Sequence, residues 1–318
     1  MSRLHPITDD YGRPFLNLRI SVTQRCNLKC SYCHREGQQL TKDEMSPAEI
    51  VRIAKIAAGL GVRRIKLTGG EPLMREDILE ITRLLHEEST VEEISMVTNG
   101  TLLTHQLAEN LKKYGLIRVN VNVPSVETQT YRTLTGGRLE DALEGIRAAL
   151  SARLCPVKVN MLILRDVNSG QVDSMLDFCR KLGITLQVIE LEPLNIDAQY
   201  YHRYHLALDQ IENALSSRAR KVEVRRSMNG RKIYHLENSK VEIVKPVENT
   251  EFCLRCTRVR LTSDGGLKPC LMRPNVVHLL EKIRTGANDL ELRELIEASV
   301  RKRRPFYDAK VSTPRVAS

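Results

Sequence analysis

Between about Leu16 and Val188 the chain repeats one pattern, a short apolar strand-like run followed by an amphipathic helix-like stretch. The strand candidates are Leu18–Val22, Arg64–Leu67, Ile94–Val97, Arg118–Val123, Val157–Leu164 and Thr185–Glu190. Between them lie Pro47–Leu60, Asp77–Glu87, Thr104–Lys113, Leu139–Ala152 and Ser169–Leu182, with apolar residues at helical spacing. Ser46 and Thr104 stand where helix N-caps belong, and Gly115 and Gly183 where helices end. Units of this length call for a parallel sheet covered by helices. Eight would close a barrel. Six predict an α/β fold with an open, partial (β/α)6 TIM-like barrel, its functional residues at the C-terminal ends of the strands.

After about Pro193 the pattern changes. A Tyr/His-rich stretch, Tyr200 to His205, leads into a charged helix and short strands around Lys221–Arg225, Lys232–His235 and Lys240–Val244, with a helical tail from about Asp289. This predicts a C-terminal α+β extension packed on the barrel, dividing the chain into a core, 1–231, and an extension, 232–318. No solenoid-period repeat or low-complexity linker interrupts it.

No apolar run approaches the roughly 20 residues that span a bilayer, and Met1 to Pro6 lacks the apolar stretch of a signal peptide. A cytoplasmic location is expected, where thiols stay reduced. Eight cysteines are then not expected to pair as disulfides, and six of them fall in two tight groups, which reads as metal or cluster ligation. The remaining two, Cys155 and Cys179, have apolar neighbours and read as core residues. A net charge of +10 suits an anionic partner: nucleic acid, a phosphorylated small molecule or a membrane surface. The run Arg301 to Arg304 reads first as a solvated helix end, so charge alone selects no function.

Cys26, Cys30 and Cys33 follow the first strand in the order C-x3-C-x2-C. Structural zinc takes four ligands, whereas three thiolates on a cubane cluster leave one iron free for a substrate's own donor atoms. His34 is the only nearby fourth zinc ligand, and it sits too close to Cys33 for the usual arrangement. Gly69-Gly70-Glu71-Pro72 follows the second strand; paired glycines let backbone approach a ligand, and Glu71 can accept from an ammonium group. The plainer reading is a glycine turn closing a βα unit.

The cysteine triplet with Tyr32 before its last member, together with Gly69 to Pro72 after the next strand, resembles the radical S-adenosylmethionine (SAM) enzymes. The resemblance implies that Cys26, Cys30 and Cys33 hold a [4Fe-4S] cluster whose open iron chelates SAM, and that reduction yields a 5'-deoxyadenosyl radical. It implies that Tyr32, Gly70, Glu71 and Asn122 hold SAM, although many relatives carry Ser where Asn122 stands.

Cys253, Cys256 and Cys270 form a second triplet, C-x2-C-x13-C. His278 is the nearest fourth ligand for a zinc knuckle. Arg258 and Arg260 alternate along an extended segment and so point to one side, as bidentate phosphate binders would. An open iron beside paired arginines suits an anionic ligand with N or O donors, such as a nucleoside triphosphate. The block Cys253 to Leu271, with its run Cys-Thr-Arg-Val-Arg-Leu-Thr-Ser-Asp-Gly, resembles the GTP 3',8-cyclases of molybdenum-cofactor biosynthesis, in their shorter archaeal form. The likeness runs from about Tyr11 to Phe306.

That resemblance implies two [4Fe-4S] clusters, the second holding the guanine ring of GTP. Arg258 and Arg260 would contact the nucleotide, while Arg19, Lys66 and Lys158 would hold the triphosphate or support catalysis; Cys26, Cys30, Cys33, Lys66 and Lys158 form the implied catalytic set. The radical would take hydrogen from ribose C3', the carbon radical would attack guanine C8, and an electron and a proton would complete 3',8-cyclo-7,8-dihydro-GTP. The implied partners are GTP, an electron donor such as ferredoxin or flavodoxin, and a downstream cyclic pyranopterin monophosphate synthase; neither membrane nor nucleic acid is expected, and a homodimer is admitted. Two departures stand out: the chain ends Arg315-Val316-Ala317-Ser318 where many relatives end Gly-Gly, and Gln187 occupies a position that is Arg in bacterial members. Other readings stay open: a radical SAM enzyme acting on another nucleotide, RNA or a peptide, or a non-enzymatic iron–sulfur or zinc regulator.

Overall fold

Apolar alternation of period two buries one side of each expected strand and leaves the other polar. The result, in a computed structural model that describes residues 5–38, 40–41 and 43–307, is a parallel run of β1 (Asn17–Ser21), β2 (Arg64–Thr68), β3 (Glu93–Thr98), β4 (Leu116–Asn122), β5 (Lys158–Leu162) and β6 (Thr185–Ile189). Leu18, Ile20, Ile65, Leu67, Val119, Val121, Leu186 and Val188 are fully buried beneath helices. Arg19, Lys66, Ser95, Asn120, Lys158 and Gln187 alternate with them and line a cavity on the inner face.

The covering helices are α1 (Pro47–Gly59), α2 (Ile78–Glu88), α3 (His105–Lys113), α4 (Thr128–Thr135), α5 (Leu139–Ser151) and α6 (Val172–Leu182). Ser46 caps α1 through a reciprocal bond with Glu49, Thr104 caps α3, and left-handed Gly183 closes α6. Helix α4 has no counterpart in the sequence expectation: its threonines are weak helix formers, and it forms because Tyr131 and Leu134 are buried and Gly136 ends it.

The rest comprises α7 (Ala198–Tyr204), α8 (Asp209–Arg218), β7 (Lys221–Arg225), β8 (Arg231–Leu236), β9 (Ser239–Val244), α9 (Thr250–Leu254), β10 (Arg258–Leu261), β11 (Gly266–Lys268), β12 (Val277–His278), α10 (Leu279–Arg284) and α11 (Asp289–Arg301). The position between 231 and 232 falls at the start of β8. Strand β10 adds to β1 in parallel and β9 adds to β6 in parallel, so the later chain extends both edges of the partial barrel. The full order is β12-β11-β10-β1-β2-β3-β4-β5-β6-β9-β8-β7. Antiparallel hairpins end both edges, and the sheet stays open.

One correction concerns Cys155. Cys179 is fully buried, but Cys155 is exposed, because it lies in the turn between α5 and β5 and its apolar neighbours in sequence turn inward without it. The terminal Arg315 to Ser318 lie outside the described residues. No helix among the described residues is long and apolar enough to cross a membrane.

Candidate functional site

The loop after β1 carries Cys26, Cys30 and Cys33 to the C-terminal mouth of the barrel. It is stitched to the glycine segment after β2: Gly70 N donates to the Thr23 carbonyl at 2.8 Å and Glu71 N to the Arg25 carbonyl at 2.7 Å. A Cβ on Gly70 would lie 2.2 Å from the Arg25 carbonyl oxygen, so only glycine permits this approach. The Glu71 carboxyl is buried and ties the ends of β2 and β3 together, accepting from Leu73 N (3.1 Å), Thr98 Oγ1 (2.6 Å) and Asn99 N (2.6 Å). Burial outweighs these bonds and lifts its pKa to about 7.

Burial and the neighbouring thiols raise the Cys30 pKa to about 12, and burial followed by Cys30 raises that of Tyr32. Cys26 and Cys30, both raised by burial and by neighbouring thiols, would be stabilised as thiolates by a cationic group among them. Among the described residues no three His, Cys, Asp or Glu side chains converge as ligands of a single ion. A cubane offers a separate iron to each thiolate, so it does not require the three sulfurs to meet at one ion. The donor set therefore fits the cluster. Asn122, at the end of β4, accepts from Asn160 Nδ2 at 2.8 Å and faces the same mouth.

Across the cavity, Cys253 sits in α9, Cys256 follows it, and Cys270 follows β11. Burial raises Cys253 and Cys270; at Cys256 burial pushes the same way, but Arg258, Arg303 and Arg13 outweigh it and lower the thiol's pKa. A second observation fits a bound anionic group: Nη2 of Arg13 and Nε of Arg19 are buried with no acceptor among the described residues. His278 is exposed and outside the cavity lining, while His34 accepts from Glu36 N at 3.0 Å.

Both triplets line one cavity of about 330 Å³, and so do Arg19, Tyr32, Lys66, Gly70, Glu71, Asn122, Lys158, Arg258 and Arg260. Arg258 and Arg260 do lie on one side of β10, with Arg258 Nη2 bonded to Asn229 Oδ1 at 3.0 Å. Among the described residues Lys66 bonds only the Asn120 amide oxygen, at 3.4 Å, and burial, then Arg118 and Arg19, hold its pKa well below the ordinary lysine value. Lys158 is buried against Glu242; desolvation wins and its pKa falls to about 8.

Sequence reading missed the carboxylates that arrange these cations. Glu36 sits in a short turn, Arg35–Gly37, and bridges Arg19 Nη2 (2.6 Å) to Arg260 Nη1 (2.5 Å). Arg19 and Arg260 are register partners on β1 and β10, so a carboxylate between them offsets two adjacent like charges. Glu242 is fully buried among Lys158, Arg225 Nη1 (3.0 Å) and Arg231 Nε (3.2 Å). No local pattern marks either acid.

A partial parallel barrel whose first strand leads three thiols to the lining of one cavity at its mouth defines the class of cluster-binding radical enzymes. Residues 20–179 match the Radical SAM superfamily and residues 184–309 match the family described as Molybdenum Cofactor Synthesis C. The chain is 44% identical over 309 residues to the "Probable GTP 3',8-cyclase" of Methanothermobacter marburgensis, covering 95% of this chain and 99% of that one. It is 44% identical over 308 residues to the protein of the same name from Thermococcus kodakarensis, covering 94% and 99%. The chain therefore belongs to the radical SAM superfamily, in the family formed by these archaeal relatives, and uses a [4Fe-4S] cluster and SAM. The crystal structure of Streptococcus suis SuiB aligns with a TM-score of 0.63 at 16% identity, over 93% of this chain and 68% of that one. Native anSMEcpe with bound AdoMet and a peptide aligns at 0.60 and 16%, over 90% and 84%. At that identity both speak for the fold alone.

Proposed function

We propose that the chain is a GTP 3',8-cyclase, converting GTP to 3',8-cyclo-7,8-dihydro-GTP as the first step of molybdopterin synthesis. One observation carries the reading: two three-cysteine groups open onto a single cavity whose wall is cationic. The curated relatives named for this activity support it. Cys253, Cys256 and Cys270 would hold a second [4Fe-4S] cluster in the extension, as Cys26, Cys30 and Cys33 would hold the first in the core, both groups lining the same cavity.

Bound at the first triplet, the cluster and SAM supply the radical that removes hydrogen from C3'. The protein's own work is positioning and exclusion. Tyr32, Gly70, Glu71 and Asn122 surround the SAM position. Arg258 and Arg260 hold the nucleotide beside the second triplet, and Arg19, Lys66 and Lys158 receive the triphosphate, with Glu36 and Glu242 fixing where those cations point. Ferredoxin or flavodoxin would supply electrons, and a cyclic pyranopterin monophosphate synthase would consume the product.

The test is anaerobic. Protein with reconstituted clusters is incubated with SAM, dithionite and GTP, and 5'-deoxyadenosine and a cyclised GTP isomer are sought by chromatography with mass spectrometry. Both are expected, with neither ATP, RNA nor a peptide replacing GTP. Cleavage of SAM with GTP unchanged would sink the substrate assignment.

A further inference from the structure

The segment before β1 and the residue just past α11 meet beneath the second cysteine triplet. Asp9, its side chain fully buried, accepts at Oδ2 from Arg13 Nε (2.8 Å) and Arg303 Nε (2.7 Å), and at Oδ1 from Arg13 N (3.0 Å). Arg303 is only 1% exposed and donates through Nη2 to the Arg13 carbonyl (2.6 Å) and through Nη1 to the Arg258 carbonyl (3.3 Å). Arg13 Nη1 donates to the Cys253 carbonyl at 2.8 Å. The two guanidinium groups thus grip both ends of the segment from Cys253 to Arg258.

This is more than a clasp. Two buried cations share one carboxylate, which leaves an excess positive charge where an uncompensated charge is costly. Arg13 also lines the cavity, and its buried Nη2 has no acceptor among the described residues. The Tyr11 ring, 5.7 Å from the guanidinium carbon, covers one side and offers only a weak acceptor. Both deficits ask for an anionic acceptor beside Cys253 and Cys256.

We infer that Arg13, oriented by Asp9 and Arg303, donates an N–H from Nη2 to the sulfur-rich anionic group held by Cys253, Cys256 and Cys270, and so sets how firmly that group is retained and at what potential it accepts an electron. The inference rests on the second-cluster reading given under the proposed function. Donors and positive charge close to the sulfurs stabilise the reduced, more negative state, so their removal moves the potential to more negative values. Arg13 is a positioning residue in this scheme; it acts through the group that holds the nucleotide.

The two triplets can be separated. In a Cys26→Ala/Cys30→Ala/Cys33→Ala background, iron bound after anaerobic reconstitution belongs to the second group; in a Cys253→Ala/Cys256→Ala/Cys270→Ala background it belongs to the first. Arg13→Gln should surrender second-group iron to a chelator about 10- to 100-fold more readily while leaving first-group iron unchanged. Arg13→Lys keeps the charge without the fork; it should retain iron but show a more negative midpoint potential and an altered electron paramagnetic resonance spectrum. Equal iron loss from both groups in the Arg13→Gln protein, or an unchanged second-group potential and spectrum in both Arg13→Lys and Arg303→Gln, would overturn the inference. If the first background binds no iron with Arg13 intact, the second-cluster reading itself fails, and this inference with it.

Discussion

Lys158 on β5 and Glu242 on β9 form a buried ion pair that spans β6, the strand between them. Glu242 lowers the cost of a buried ammonium, yet burial still leaves Lys158 near pKa 8. Replacing Glu242 by Gln removes the group that holds this value up, so Lys158 loses its proton at lower pH. In Glu242→Gln the KM for GTP should rise steeply through neutral pH, with the alkaline limb shifted down by roughly one pH unit or more. A KM profile that keeps the wild-type shape would separate Lys158 from triphosphate binding.

Glu36 offers a stability test. Burial alone would raise its pKa, but Arg19 and Arg260 hold it at about 2 against an ordinary 4.5. A carboxyl depressed on folding contributes stability that is complete above the unfolded value and is lost as pH falls toward the folded one. Wild-type protein should therefore lose stability between about pH 4.5 and 2, and Glu36→Gln should flatten that part of the denaturation profile. Arg260→Ala, which strips a buried carboxylate of one partner, should cost about 3–5 kcal/mol in chemical denaturation.

The glycine pair gives a steric test. Alanine at Gly70 would meet two backbone carbonyls, those of Arg25 and Gln24, and neither can swing aside as a side chain could. Gly70→Ala should destabilise the protein by about 3 kcal/mol or more and reduce iron retention at Cys26, Cys30 and Cys33 while the second triplet keeps its iron. Wild-type iron content and melting temperature in this variant would remove the proposed packing role.

Cys155 and Cys179 should part company in thiol labelling. A water-soluble alkylating reagent should modify Cys155 in the native apoprotein and reach Cys179 only after denaturation, since the first is exposed and the second fully buried. Cys155→Ser should leave iron content unchanged. Loss of iron in that variant would place Cys155 among the ligands.

The strands β1 to β6 and the two cysteine triplets were legible in the chain because their signals are local. A period-two alternation puts Leu18 and Ile20 on one face and Arg19 on the other wherever the strand lies, and C-x3-C-x2-C brings three thiols to one loop. Three-dimensional packing decided the remainder. Nothing near Arg258 in sequence says that β10 will dock in parallel on β1, or near Ser239 that β9 will dock on β6; those edges are chosen by burial and hydrogen bonding between segments remote along the chain. Glu36, Glu242 and the Asp9–Arg303 bond, which joins residues 294 positions apart, escaped notice because an isolated charged residue defaults to the surface. Only folding shows that it has been buried with a partner. Cys155 failed in the opposite sense, since apolar neighbours in sequence do not bury a residue that the turn between α5 and β5 directs outward. Sequence alone determined which residues could do the chemistry; tertiary structure determined which charges stand beside them.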